Sequence, residues 1–324
     1  MKNQPGIGEI QEARHRIIGL IHRTPVLTCR SIDEMCGAQL FFKCENFQKA
    51  GAFKVRGACN AVFSLSDVEA SRGVATHSSG NHAAALALAA RWRGIPAYVV
   101  MPENAPQIKK AAVAGYGAEI LFCKPTLEAR EESLARVISR TGAAFVHPYN
   151  DARVIAGQGT AGLELNEEEP ELDAVLAPVG GGGLLSGTAI AISALSPKST
   201  IIGAEPEKAD DAFRSLQQGA IVPAGNPQTV ADGLRTSLGD LTFAIIRKHV
   251  KQIVTVSEEG IVGAMRTVWE RMKIIIEPSA AVPLGALLTG RIDLSGKRVG
   301  VILSGGNLDL DRLPWQLSLA RQNP

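Results

Sequence analysis

Short β-branched runs alternating with Ala- and Leu-rich stretches predict an α/β protein with parallel-rich sheets covered by helices. Strand candidates such as Ala174-Val-Leu-Ala-Pro-Val179 are apolar without alternation, which suits sheets buried on both faces. Four consecutive glycines, Gly180 to Gly183, stand directly between that strand and a helix-forming stretch.

In chain order, Gly73-Val-Ala-Thr-His77 reads as a strand followed by a helix over Ala83–Trp92. Ala97-Tyr-Val-Val-Met101 comes next, with a helix over Pro106–Gly115. Glu119-Ile-Leu-Phe-Cys123 pairs with a helix over Leu127–Thr141, and Asp173–Val179 with one over Leu184–Leu195. Thr200–Ala204 then runs into an acidic turn. Strand, loop, helix and strand at this spacing make βαβ units. No repeat or low-complexity segment interrupts them, and Asn166-Glu-Glu-Glu-Pro170 reads as a solvated surface turn. Polar turn residues near Ser66–Arg72 and Pro148–Asp151 hint at boundaries.

A chain of 324 residues is long for one ordinary domain and comfortable for two, or for one large α/β enzyme domain. With 45% hydrophobic and 20% charged residues, wholesale disorder is excluded. Lys plus Arg number 34 against 32 Asp plus Glu, a net +2 too balanced for neutralising phosphate backbones, so no nucleic-acid partner is expected. Aromatics at 5% also argue against a base-stacking platform. Cys29, Cys36, Cys44, Cys59 and Cys123 are odd in number and form no CxxC pair, so they read as reduced thiols of a cytoplasmic protein. The N-terminal stretch is charged and interrupted by Pro5 and Pro25, without a signal-peptide core. The longest small-apolar run of the chain, Ala83–Ala90, is far below the ~18 residues of a membrane span, so no membrane partner is expected.

Four segments could carry chemistry. In Pro178-Val-Gly180-Gly181-Gly182-Gly183-Leu184, glycines let successive backbone N–H groups turn toward an anion at a positive helix start. No Gly-Lys-Ser/Thr follows and GxGxxG is not met, so a phosphate monoester on a small cofactor fits better than a nucleotide pyrophosphate. A merely flexible turn is the plainer alternative. In Phe53-Lys54-Val55-Arg56-Gly57, an extended chain would point Lys54 away from Phe53 and Val55. Lys54 is then either a solvent-facing lysine or a partly desolvated amine that forms an imine with an aldehyde cofactor. His77-Ser78-Ser79-Gly80-Asn81-His82 opens an Ala-rich helix. Its Ser and Asn are ordinary caps, yet together these side chains could grip a carboxylate and offer hydroxyls for proton transfer. Val301-Ile-Leu-Ser304-Gly305-Gly306-Asn307 is a strand ending in a small polar residue.

In this order and spacing the four segments resemble the fold type II pyridoxal-phosphate enzymes, in the serine racemase and serine/threonine dehydratase (ammonia-lyase) branch. The likeness runs from about His22-Arg-Thr-Pro25 to Asp309. It takes in Phe42-Lys-Cys-Glu-Asn46, His147-Pro-Tyr-Asn-Asp151, Gly157-Gln-Gly-Thr160 and Ala204-Glu-Pro206. It continues through Ala231-Asp-Gly-Leu-Arg235, Trp269-Glu-Arg-Met-Lys273 and Glu277-Pro-Ser279. The resemblance implies a two-lobed α/β fold related to the tryptophan synthase β chain. Residues 1–72 and 151–324 would form the large domain and 73–150 the small one, with pyridoxal 5'-phosphate in the cleft.

Residue by residue, it implies that Lys54 carries the cofactor and shuttles a proton on one face while Phe53 flanks the ring. Asn81 would bond the phenolic oxygen, and Ser304 would pair with the ring nitrogen. Gly180, Gly181, Gly182 and Gly183 with Leu184 would hold the phosphate, and Gly233 would lie over the other face. Ser78, Ser79, Asn81 and His82 would line the substrate carboxylate, with Arg130 near its distal end and Ser79 acting across the ring from Lys54. Tyr149, where some animal members have Asn, places the chain nearer the plant and microbial type. Ala83 stands where many dehydratases have Gly. A serine at the ring nitrogen cannot keep it protonated as a carboxylate would, which suits rapid expulsion of a β-leaving group.

In Ala204-Glu205-Pro-Glu207-Lys-Ala209-Asp210-Asp211 the resemblance suggests Mg²⁺ or Ca²⁺ held by Glu205, Asp211 and the Ala209 carbonyl; an acidic helix start is the alternative. Lys49, Lys273 and Asn307 align with nucleotide-contacting positions, implying an ATP or AMP effector. The expected activity is dehydration of L-serine and L-threonine to a 2-oxo acid and ammonia, with serine racemisation beside it, by a homodimer acting on small amino acids. A 3-hydroxyaspartate or phenylserine dehydratase and a non-catalytic cofactor-binding protein are the alternatives.

Overall fold

The computed structural model describes residues 4–78, 80–105 and 107–319. Helix α1 (Ile7–Ile17) buries Ile10, Ala13 and Ile17. β1 (Val26–Leu27) and β2 (Gln39–Cys44) flank α2 (Arg30–Cys36), which ends at Gly37 in the left-handed region (φ 64°). α3 (Lys54–Phe63) and α4 (Asp67–Ser71) follow, and Ser66 with Glu69 forms a reciprocal cap on α4. Then β3 (Val74–His77), α5 (Asn81–Arg93), β4 (Ala97–Pro102), α6 (Gln107–Gly115), β5 (Glu119–Cys123), α7 (Leu127–Thr141) and β6 (Ala144–Phe145) alternate. The chain continues through α8 (Ala152–Glu168), β7 (Ala174–Pro178), α9 (Gly183–Leu195), β8 (Thr200–Pro206), α10 (Asp211–Gln218) and α11 (Asp240–His249). It closes with β9 (Gln252–Val256), α12 (Glu258–Met272), α13 (Pro278–Leu288), β10 (Arg298–Leu303) and α14 (Pro314–Leu319).

The strands form two sheets, ordered β1-β2-β10-β7-β8-β9 and β5-β4-β3-β6. Every pairing is parallel except β1 with β2, as βαβ units require. The four-stranded sheet draws its strands from Val74 to Phe145 alone. In the six-stranded sheet, side chains alternate between two apolar cores. Leu40, Phe42, Leu176 and Val301 face α12 and α13, while Phe41, Val175, Ala177 and Ile302 face α9 and α11. Both faces are therefore dry, and this is why β7 carries no polar alternation. Among the described residues no helix is long and apolar enough to cross a membrane.

The expected elements recur with small shifts. The Leu127–Thr141 helix is unchanged, the Ala83–Trp92 helix starts earlier at Asn81, and the Pro106–Gly115 helix is seen from Gln107, Pro106 lying outside the described residues. The segment at Lys54 is not extended. Lys54 is the first residue of α3, because Val55 to Val62 are all buried and only a helix wedged among α1, α5 and α8 hides every face.

Candidate active site

Three helix starts meet in one place: α3 at Lys54, α5 at Asn81 and α9 at Gly183. The end of β10 holds the first of them. Phe53 N donates to Ser304 O at 3.0 Å, Ala52 bridges to Gly305, and Gly306 N donates to Gly51 O at 2.9 Å. Lys54 and Ser304, far apart in sequence, thus become neighbours through backbone bonds. Ser304 is 2% exposed.

Lys54 Nζ donates to Pro148 O at 3.0 Å and lies 5.0 Å from the Phe53 ring centroid. Burial pushes the amine from 10.5 down to about 8, against the opposing pull of the Glu277 carboxylate. This is the desolvated lysine, not the solvent-facing one. Asn81 Nδ2 donates to both carboxylate oxygens of Glu277, at 2.9 and 3.1 Å, and Asn307 Nδ2 donates to Asn81 Oδ1 at 3.0 Å. Glu277 is itself pushed up to about 7, first by burial and then by Asp232. Sequence reasoning assigned Glu277 no role beyond its place in the matched stretch Glu277-Pro-Ser279. It caps nothing with its side chain.

The glycine turn is buried and crowded. A Cβ on Gly180 would lie 2.8 Å from Leu234 Cα, and one on Gly181 would lie 2.3 Å from the Tyr149 ring. Gly182 adopts φ +86°, where side chains are disfavoured. Gly183 and Leu184 begin α9, Leu184 packing into the core. Gly233, with its N donating to Ser279 Oγ at 3.1 Å, sits beside Gly180. A turn that excludes Cβ atoms at successive positions presents backbone N–H groups at a helix start, the requirement for a phosphate cradle.

Ser78 accepts from Gly80 N at 3.4 Å, a local turn bond, and Ser79 lies outside the described residues. His82 is buried, with Nε2 3.2 Å from Val146 O and Nδ1 without a partner. Burial and the nearby Lys54 charge hold it well below its ordinary pKa, so it is neutral. Arg130 donates Nε–H to Thr126 O within its own helix turn at 3.3 Å. Its charge nevertheless reaches His77, whose pKa is lowered first by burial and then by Arg130. His77, Phe145, His147 and Tyr149 form a continuous ring cluster with centroids 4.6 to 5.9 Å apart along the chain of contacts. The motifs along the chain offer no signal for this cluster, because only the pairing of β3 with β6 brings His77 and Phe145 together.

Across the cleft mouth, Lys109 of α6 pairs with Asp232 beside Gly233. A cavity of about 1410 Å³ opens there, lined in part by Gly80, Asn81, Lys109, Arg235 and Asn307. Of the nucleotide-aligned residues only Asn307 lines it. Lys49 Nζ sits over Trp92 at 4.9 Å, and Lys273 Nζ donates to Glu270 O at 2.6 Å.

Glu205 and Asp211 are both buried. Glu205 accepts from Ala212 N at 3.0 Å and Phe213 N at 2.9 Å, serving the start of α10, while both Asp211 oxygens lack a hydrogen-bond partner. Burial pushes Glu205 up to about 9, with Asp211 adding to it, and Asp211 up to about 7. Among the described residues no group of three His, Cys, Asp or Glu is arranged for a metal, so a third protein ligand here would be a carbonyl such as that of Ala209.

Comparison with known proteins gives these features a context. The family model of pyridoxal-phosphate dependent enzymes matches residues 17–305. Beta-hydroxyaspartate dehydratase of Paracoccus denitrificans is 55% identical over 311 residues, covering 96% of this chain and 99% of that protein. The crystal structure of serine racemase from Dictyostelium discoideum superposes with a TM-score of 0.91 at 51% identity, covering 94% of this chain and 99% of that one. Maize serine racemase superposes at 0.94 with 47% identity, covering 99% and 98%.

Proposed function

Because the chain belongs to the pyridoxal-phosphate dependent enzymes, we propose that it removes water from β-hydroxy amino acids such as L-serine and L-threonine, releasing a 2-oxo acid and ammonia, and that it also interconverts the serine enantiomers. The observation that carries this reading is a desolvated lysine, held near pKa 8, at the head of α3, whose amine bonds Pro148 O one residue before the Tyr149 ring that packs on a Cβ-excluding glycine turn. When bound, pyridoxal 5'-phosphate supplies an electrophilic carbonyl and a ring that spreads charge from the substrate α-carbon. Lys54 would hold the aldehyde end and move the α-proton at Nζ, its lowered pKa leaving a usable fraction neutral near pH 7. The turn Gly180–Gly183 would hold the phosphate and Asn81 the phenolic oxygen. Phe53 and Gly233 would bracket the ring, and Ser304 would meet its nitrogen. Neutral His82, with Ser78 and Ser79, would bind the substrate carboxylate by hydrogen bonds rather than by charge. Residues 73–150 would act as the small lobe that closes over the substrate. The expected assembly is a homodimer; Phe47 and Ile275 are exposed apolar side chains, and Asn46, next to Phe47 in the chain, donates Nδ2 to Ile275 O.

A 3-hydroxyaspartate dehydratase is the second reading. It is favoured by Arg130, which makes no ion pair among the described residues and whose charge is felt at His77 and Tyr149. Ammonia release from L-serine, D-serine, L-threonine and both 3-hydroxyaspartate diastereomers separates the two. We expect 2-oxo acid in step with ammonia from L-serine and L-threonine. A preference for a hydroxyaspartate above about tenfold in kcat/KM selects the second reading, and silence on all substrates rejects both. The same assay with ATP tests the effector, for which Asn307 at the cavity is the support.

Racemisation needs an acid/base group on each face, since the proton leaves from one side and returns on the other. Lys54 serves one; by resemblance Ser79 serves the other. Ser79→Ala is therefore expected to stop interconversion of L- and D-serine, read by chiral chromatography, while sparing L-serine dehydration to within about tenfold, or ~1.4 kcal/mol of barrier. Wild-type protein that makes no D-serine after long incubation contradicts the racemase half.

Asp211, buried with both oxygens unpartnered beside a second buried carboxylate, fits a hard cation. Glu205, Asp211 and the Ala209 carbonyl would hold Mg²⁺ or Ca²⁺ at the start of α10, its charge keeping both acids ionised. EDTA is expected to lower the melting temperature and either ion to restore it. Saturation at 100 to 1,000 times Kd corresponds to roughly 3–4 kcal/mol. An Asp211→Ala protein that melts like wild type with and without EDTA leaves only the helix-start role.

A further inference from the structure

Lys43, Glu45, Arg56 and Glu164 form a charge-balanced cluster, with side chains 0%, 0%, 0% and 8% exposed. Arg56 is saturated. Its Nε donates to Glu45 Oε2 at 2.7 Å, and its Nη1 to Glu164 Oε1 at 2.8 Å and Thr160 Oγ1 at 3.1 Å. Its Nη2 donates to Glu45 Oε1 at 2.8 Å and Glu164 Oε2 at 2.7 Å. Lys43 Nζ bonds Glu164 Oε2 at 2.8 Å and Thr24 O at 2.6 Å. The cluster does not line the cavity, and nothing in the chemistry above uses it.

For stability alone the arrangement is a poor choice. Desolvating two ion pairs offsets most of their attraction, and well-packed apolar residues of the same volume do as well or better. Apolar packing cannot, however, fix a direction. A planar guanidinium forked onto carboxylates from two different elements sets the rotation of α3 about its own axis. Arg56 lies in the first turn of α3, two residues beyond Lys54. Backbone contacts carry the constraint onward. A Cβ on Gly157 would lie 2.6 Å from Arg56 O, so α3 and α8 touch main chain to main chain. A Cβ on Gly187 would lie 2.5 Å from Gly159 N, so α8 and α9 do the same. α3 starts at the lysine, and α9 starts at the glycine turn.

We propose that Arg56 is a positioning residue: through α8 it registers the Lys54 end of α3 against the glycine turn that opens α9, so that the aldehyde and phosphate ends of one cofactor are met together. This rests on the reading of Lys54 and Gly180–Gly183 given above.

The test compares binding of pyridoxal phosphate with that of pyridoxal, which lacks the phosphate, by the visible absorbance of the lysine imine in protein stripped of cofactor. Arg56→Lys keeps the charge and loses the fork; Glu45→Gln loosens the same fork more gently and decides the matter if the first variant does not fold. Lys43→Met disturbs the cluster from β2 and takes no hydrogen bond from Arg56 itself, although the two side chains share Glu164 Oε2. The phosphate preference of wild type is expected to fall about tenfold or more in Arg56→Lys, and in the same direction in Glu45→Gln. Lys43→Met should lower the melting temperature and leave the preference unchanged. Wild-type preference in both fork variants, or an equal loss in Lys43→Met, overturns the proposal. A wild-type protein that forms no imine overturns instead the reading of Lys54 on which it rests.

Discussion

Lys54→Ala is expected to remove the visible imine absorbance and to lower turnover on the order of 10⁴-fold or more, the scale of losing an obligatory covalent group. Lys49→Ala, whose amine is occupied over Trp92, should do neither. The local physics adds a pH signature. Imine formation needs the neutral amine, and burial lowers the Lys54 pKa from 10.5 to about 8. In cofactor-free wild type, the rate of imine formation should therefore rise with pH and level off above about 8, well before an ordinary lysine would. Colour and activity retained in Lys54→Ala would remove the basis of the whole functional reading.

The next largest effect is expected at the glycine turn. In Gly181→Val, the new Cβ would have to occupy a point 2.3 Å from the Tyr149 ring, where no relaxation short of moving Tyr149 or the turn makes room. Either shift would withdraw backbone N–H groups from the place proposed for the phosphate. Pyridoxal phosphate should bind about a hundredfold more weakly, ~2.7 kcal/mol, and its addition should raise the melting temperature far less than in wild type. A Gly181→Val protein with wild-type affinity would mean that the phosphate is held elsewhere.

How much of this was legible before the structure depends on the kind of information involved. The strand, glycine turn and helix from Ala174 to Leu195 could be read directly, because apolar continuity and consecutive glycines are local signals. The Leu127–Thr141 helix was equally plain, with Thr126 capping its start and Gly142 ending it. At Lys54 the local pattern was ambiguous: alternation with apolar neighbours suits a strand, and only burial of the following residues on every face makes it a helix start. The partners of Lys54 were not legible from spacing. Pro148 O, Ser304 and Glu277 reach it through the crossing of β10 with the Gly51–Phe53 segment and the approach of α13. Glu277 and Arg56 carry no role in the one-dimensional reading, and the fold buries both. The acidic cluster divides in the structure. Glu205 serves the start of α10, as an acidic helix start would, while Asp211 keeps two buried oxygens that a cation would satisfy.

The most direct test of the central claim, that Lys54 holds the cofactor's aldehyde, is to reduce the cofactor-loaded protein with borohydride, digest it and locate the pyridoxyl group by mass spectrometry. Reduction converts the imine to a stable secondary amine and so records which lysine carried it. The account predicts the adduct on the peptide containing Phe53-Lys54-Val55 and on no other lysine. An adduct on a different lysine, or none on protein that has bound pyridoxal phosphate, would contradict it.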